Sequence, residues 1–95
     1  MLALNRVERI RLALESAFAP SLLVVNDDSH KHAGHEGARD GRGQFSGEIV
    51  SAAFQGKAPL ARHRAVYLAL GEMMTIDIHA LSIQARDPDQ TAPDL

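Results

Sequence analysis

The order of periodic segments along this chain predicts an α+β fold. Three observations carry that reading. An amphipathic helical stripe opens the chain, two segments of strand character flank a long glycine-rich loop, and a second helical stripe precedes an alternating segment near the C-terminus. The 95 residues are enough for one core but not two. The predicted order is helix, strand, strand, short helix, helix, strand, with three strands in one mixed sheet and helices packed on one face.

Residues 4–18 form the first helix. Leu4, Val7, Ile10, Leu14 and Phe18 recur at spacings of three and four and share one stripe. Asn5-x-x-Glu8 has the form of a capping box, and Pro20 stops the helix. Arg6, Arg9 and Arg11 are expected on its solvated sides. Leu22-Leu23-Val24-Val25 reads as a strand covered on both faces, or as a run of ambiguous period. Asn26-Asp27-Asp28-Ser29 turns the chain out, because these side chains bond to nearby backbone. Residues 28–43, with Gly34, Gly37, Gly41 and Gly43, form a long loop.

Phe45–Val50 is the second strand, with Phe45, Gly47 and Ile49 on one face and Ser46, Glu48 and Val50 on the other. The two strands can pair as an antiparallel hairpin. Ser51–Phe54 makes at most one helical turn, closed by Gln55-Gly56-Lys57. Pro59 opens a helix running to about Met74. Leu60, His63, Tyr67, Leu70 and Met74 are its expected inward stripe, widened by Val66, Ala69 and Met73. Residues 76–85 are the last strand: Leu81, Ile83 and Ala85 share one face and Ala80, Ser82 and Gln84 the other. The crossover from the second strand is long enough to make the second and third parallel. The domain is read as residues 1–88 and the tail, frayed, as 89–95.

Composition narrows the function classes. An apolar share of 45% and a charged share of 23% are those of a globular protein. No apolar run approaches the roughly 18 residues that span a bilayer, and no signal peptide is indicated at the N-terminus, so a cytoplasmic protein without membrane contact is expected. A net charge of −2 lends no support to nonspecific nucleic-acid binding by the chain as a whole, although a local basic patch remains open. There is no cysteine, so the chain supplies no thiolate to a metal.

Two clusters carry candidate chemistry. Ser29-His30-Lys31-His32-Ala33-Gly34-His35 puts three of five histidines into seven residues of the loop. Imidazoles so gathered are metal or proton ligands, or a solvated polar turn. No His-Glu-x-x-His or other ordered metal-plus-base motif accompanies them, which argues against a metallohydrolase. Gly34-His35-Glu36-Gly37 has the form of a G-x-x-G nucleotide loop, but such a loop clamps a backbone from between two helices, and this one joins two strands. The second cluster is Arg62-His63-Arg64, with Lys57 nearby, at the positive end of a helix, where local propensity does not ask for cations. It is a candidate ligand or partner surface, or a solvated helix face. His79 has the parity of Leu81, so a regular strand turns it inward, whereas a turn at the strand's start would not.

From about residue 5 to residue 88 the chain resembles the BolA family. The resemblance rests on Asp28-Ser29 with the histidine-rich loop after it, Val50-Ser51, Phe54-x-Gly56-Lys57, Arg62-His63-Arg64, and Ile78-His79-Ala80-Leu81-Ser82-Ile83, in that order. It implies a class II KH-like fold, α-β-β-α-α-β. It implies a non-catalytic role in iron–sulfur cluster handling or iron sensing, with a monothiol glutaredoxin carrying Cys-Gly-Phe-Ser as partner. The two would form a heterodimer around a [2Fe–2S] cluster, with one cysteine from the glutaredoxin and another from glutathione. This chain would supply His79 and a loop histidine. Aligning from Ser29 puts that histidine at His32, with His35 and His30 near enough to substitute. Gln44 stands where some relatives carry another histidine. Free of its partner, the chain is expected to be a monomer or weak dimer. The alternative the resemblance implies is a DNA-binding transcriptional regulator of the stress and morphogene type, using Lys57, Arg62, His63 and Arg64. The turn Gly56-Lys57-Ala58-Pro59 departs from the Gly-x-x-Gly of nucleic-acid-binding KH domains.

Overall fold

A computed structural model describes residues 4–29 and 42–89. Its elements are α1 (Arg6–Phe18), β1 (Leu22–Asp27), β2 (Gly43–Val50), one 3₁₀ turn (Ala52–Phe54), α2 (Pro59–Leu70), α3 (Met73–Ile76) and β3 (Ile78–Arg86). β2 is central, antiparallel to β1 and parallel to β3. This is the expected α+β order with a three-stranded mixed sheet.

α1 begins on the capping box. The Asn5 side chain accepts from the Glu8 amide at 2.8 Å, and the Glu8 carboxylate accepts from the Asn5 amide at 3.5 Å. The helix ends at Ala19, a left-handed cap (φ 43°) whose N–H donates to the Glu15 carbonyl at 3.0 Å. Ile10 and Leu14 are fully buried, Val7 and Phe18 lie against the core, and Leu4 is left exposed.

The sheet is covered on one face only, which settles the β1 ambiguity. Leu23 and Val25 face the helices, while Leu22 and Val24 stand in solvent. Residues 45 and 49 of β2 and 83 of β3 complete the inner face with Phe45, Ile49 and Ile83. The open face carries Ser46, Glu48, Ser82 and Gln84, with an ion pair between Glu48 and Arg86. Gly47 is where β1 comes closest: a Cβ there would lie 1.9 Å from the Val24 carbonyl oxygen, so no larger residue fits without moving a strand.

At the end of β2, Ser51 ties the sheet to α1. Its hydroxyl donates to the Phe18 carbonyl at 2.6 Å and accepts from the Ala53 amide at 3.1 Å. Phe54 is then buried against Phe18, with ring centroids 4.9 Å apart.

The second helical stripe needs correction. The expected single helix to Met74 breaks at Gly71 (φ 56°), and a four-residue α3 follows. The inward face of α2 is Arg62, Val66 and Leu70, with Ala65 and Ala69 beside them. Leu60, His63 and Tyr67 are exposed. The spacing of four was present in the sequence, but an arginine occupies its first position, so apolar periodicity alone selected the wrong side.

Candidate functional site

At one end of the sheet β1 leads into the histidine loop, β2 returns from it, and β3 begins after α3. The roots of the loop are closed by short bonds. The Asp28 amide donates to the Gln44 carbonyl at 2.7 Å, the Gln44 amide to the Ser29 hydroxyl at 3.0 Å, and the Ser29 amide to the Asp27 carboxylate at 2.9 Å. The Gly43 amide reaches across to the Asp77 carbonyl at 2.9 Å and joins this base to β3. A Cβ on Gly43 would sit 2.7 Å from the Phe45 ring and 2.9 Å from the Ser29 hydroxyl, so this glycine lets loop base and strand close together.

The pairing of β2 with β3 slips here. Gly43 pairs with Ile78, but Gln44 pairs with Ala80, which leaves His79 as the extra residue of a bulge. The bulge answers the parity question. Ile78 is buried, His79 and Ala80 are both exposed, and regular alternation resumes at Leu81. A strict strand would have turned the imidazole into the core. Instead it faces out beside the loop's second root, with a guanidinium nitrogen of Arg42 3.4 Å from its Nδ1. A guanidinium only donates, so this contact makes Nδ1 the acceptor and places the ring proton on Nε2.

Asp77, just before the bulge, is 6% exposed. Its carboxylate accepts from Arg9 at 2.9 Å through two nitrogens and from Arg6 Nε at 3.1 Å. The hydrogen bond from Arg9, aided by Arg6, holds the Asp77 carboxyl below its ordinary value despite an opposing effect of burial, and Arg9 is correspondingly raised. Arg6 and Arg9 therefore pin the start of β3 to α1, where solvated positions were expected.

His30, His32 and His35 lie outside the described residues; Ser29 and Arg42 mark where their segment leaves and rejoins the fold. Among the described residues no group of three or more His, Asp or Glu is arranged to hold a metal. An exposed imidazole at the loop's root, in a chain without cysteine, suits a cluster whose thiolates come from elsewhere better than a resident metal.

The basic cluster is split. Arg62 is 8% exposed and structural: Nε donates to the Lys57 carbonyl at 2.8 Å, Nη1 to the Ala85 carbonyl at 3.1 Å, and Nη2 faces the Asp87 carboxylate at 3.5 Å. It is withdrawn from the surface where the sequence placed it. Lys57, His63 and Arg64 are exposed, with the His63 ring 6.2 Å from Tyr67. Sequence reasoning missed Arg42, Gly43 and Asp77. Only Asp77, next to the predicted His79 segment, left a signal, as a charged residue between Ile76 and Ile78.

The model of the BolA-like protein family matches residues 14–90. The chain belongs to the BolA family. Protein BOLA1, chloroplastic, of Arabidopsis thaliana is 39% identical over 90 residues, covering 92% of this chain and 56% of that protein. SufE-like protein 1, chloroplastic/mitochondrial, of the same plant is 44% identical over 89 residues, 88% of this chain but 24% of that protein. The chain thus spans about half or less of these relatives. The solved BolA domain of Arabidopsis SufE1 superimposes with a TM-score of 0.81 at 40% identity, covering 95% of this chain and all of that domain (100%). The DNA-binding transcriptional regulator BolA of Escherichia coli is 37% identical over 76 residues, 80% of this chain and 70% of that protein. No helix among the described residues of this BolA-family chain is long and apolar enough to cross a membrane.

Proposed function

We propose that this chain is a non-catalytic adaptor in iron–sulfur cluster handling or iron sensing, binding a monothiol glutaredoxin around a shared [2Fe–2S] cluster. His79 is one ligand. A histidine of the loop, His32 first with His35 as substitute, is the other. The glutaredoxin and glutathione supply the thiolates this chain lacks. The observation that carries the reading is the bulge, which turns His79 outward at the end of the sheet where the histidine segment is rooted. The occurrence of a BolA domain in a SufE-like protein supports the same setting. Replacing thiolate by imidazole on one iron raises a cluster's potential, which suits transfer or sensing.

The test is anaerobic reconstitution of this chain with a monothiol glutaredoxin and glutathione, read by visible circular dichroism and gel filtration. A heterodimer with a spectrum distinct from the glutaredoxin homodimer is expected. His79→Ala should abolish that spectrum and leave the far-UV signal intact, because the side chain is exposed. An unaltered spectrum in His79→Ala would overturn the ligand assignment.

A nucleic-acid-binding regulator is the second reading. It is favoured by the exposed Lys57, His63 and Arg64 and by the E. coli relative named as DNA-binding. It requires affinity for duplex DNA that falls steeply with salt. No retention of a duplex at low salt would remove it.

A further inference from the structure

Two helical stripes keep apolar side chains in water. On α2, Leu60 is 61% exposed and Leu68 84% exposed; on the α1 side, Leu4 is 45% and Leu12 51% exposed. Isolated exposed leucines are ordinary, but these are aligned. Leu60, Arg64 and Leu68 recur at four-residue spacing along α2, with exposed Tyr67 and His63 beside them and Lys57 just ahead of the helix. Leu4, Glu8, Leu12 and Glu15 line one shallow groove along α1, together with Arg11. Arg11 is committed within the fold: it pairs with Glu15 at 3.3 Å and donates to the Leu23 carbonyl at 3.1 Å. Glu8 is left as the groove's net charge. On α2, neither Lys57 nor Arg64 has an ion-pair partner among the described residues.

One stripe reads Leu-x-x-x-Glu-x-x-x-Leu and the other Leu-x-x-x-Arg-x-x-x-Leu. We propose that they are the two halves of a contact between copies of this chain, α1 of one against α2 of another, with Glu8 meeting Arg64 between interleaved leucines. Each pattern reads the same in both directions, so the charges meet at the centre whichever way the helices run. A second copy uses both stripes, whereas a foreign helix would leave one of them unexplained. The contact goes beyond the cluster-sharing role and does not use His79. Two helix stripes of this length lie at the low end of interface sizes, below about 1,200 Å² in total, so the association is weak and reversible. Reciprocal pairing closes a dimer; head-to-tail pairing extends a chain.

Sedimentation equilibrium of the full chain from about 10 µM to about 1 mM, spanning weak affinities, tests this. The average mass should rise with concentration. Arg64→Glu and Glu8→Lys should each weaken association about tenfold or more, because like charges then face each other. The double variant Glu8→Lys/Arg64→Glu should recover association to within about threefold, since the pair is restored with its signs exchanged. Glu8→Lys also removes the long capping contact to Asn5, but that loss cannot be repaired by a change on α2, so recovery reports on pairing alone. A wild-type chain that stays monomeric throughout overturns the proposal, as does a double variant no better than the singles. Should Arg64→Glu reduce retention of a DNA duplex while leaving sedimentation unchanged, the stripe is a nucleic-acid surface and self-pairing is overturned.

Discussion

Arg62→Met isolates what the buried guanidinium does, because methionine keeps much of the apolar stem. Three contacts are lost: Nε to the Lys57 carbonyl (2.8 Å), Nη1 to the Ala85 carbonyl (3.1 Å) and Nη2 to Asp87 (3.5 Å). A hydrogen bond from a charged donor contributes about 1.5–3 kcal/mol net. Lys57 is exposed, so its carbonyl can turn to water and its share falls to the bottom of that range. Asp87 is 8% exposed and keeps only the Asp89 amide at 2.8 Å as its printed partner, so its charge loses compensation where water reaches poorly. Removing one side of such a pair costs about 3–5 kcal/mol. Taking these together, the expected loss is about 3–4 kcal/mol, a large part of the roughly 5–15 kcal/mol that holds a small domain. Urea denaturation followed by far-UV circular dichroism at pH 7 measures it. Arg64→Ala is the control: an exposed neighbour should change stability by less than about 0.5 kcal/mol. Adding Asp87→Asn to Arg62→Met should cost less than the sum of the two singles, because the uncompensated carboxylate is gone. The reasoning is refuted if Arg62→Met loses less than about 1 kcal/mol, a value outside the buried-pair range, or if Arg64→Ala loses as much.

Three other perturbations test other parts of the frame. Asp77→Asn should cost about 1–2 kcal/mol at neutral pH, discounted because both arginines are over a third exposed. Since Asp77 is depressed in the folded state, its contribution is complete above the ordinary carboxylate value of about 3.9 and is lost as pH falls through the lower folded value. The acid limb of the stability profile should therefore flatten in Asp77→Asn, and parallel wild-type and variant profiles would contradict the clamp. Gly47→Ala forces a methyl onto the Val24 carbonyl and should lower stability by about 3 kcal/mol or more, seen as a large drop in Tm; an unchanged Tm would show that β1 yields easily. Ala19→Gly should raise stability by about 0.5–1 kcal/mol by relieving the left-handed cap, and a fall in Tm would mean that chain entropy outweighs the strain.

What the sequence made legible follows from the range of the interactions. The capping box at Asn5 and Glu8 and the two faces of β2 depend on near neighbours, and the alternation in Leu81–Ala85 is local too; all were readable. The bulge was not. His79 becomes the extra residue only through its register with Gly43 and Gln44 on a strand far away in sequence. The Asp77 clamp is likewise invisible to local reasoning, since Arg9 and Arg6 are 68 and 71 residues distant. The inward face of α2 was misread because burying an arginine needs a carbonyl and a carboxylate waiting on other elements, and periodicity carries no record of them. For the loop, Ser29 and Arg42 locate the roots, while the choice among His30, His32 and His35 falls outside the described residues.

The arginines explain both the error and the frame. Nη1 of Arg11 caps the Leu23 carbonyl of β1, and Nη1 of Arg62 caps the Ala85 carbonyl of β3, so each edge strand of the sheet has a carbonyl covered from a helix. Exposed edge groups invite pairing with other chains, and a charged side chain on the edge opposes it. Arg6 and Arg9 fix Asp77, whose carbonyl in turn receives Gly43. Four arginines that look like surface charge in the sequence are therefore fold contacts. Charge that is committed in this way cannot also serve a partner without unfolding its own site. That leaves Lys57 and Arg64 as the exposed cations of the α2 end. It also leaves His79 on a bulge tied to both α1 and β2, a rigid support of the kind that a ligand shared with another protein requires.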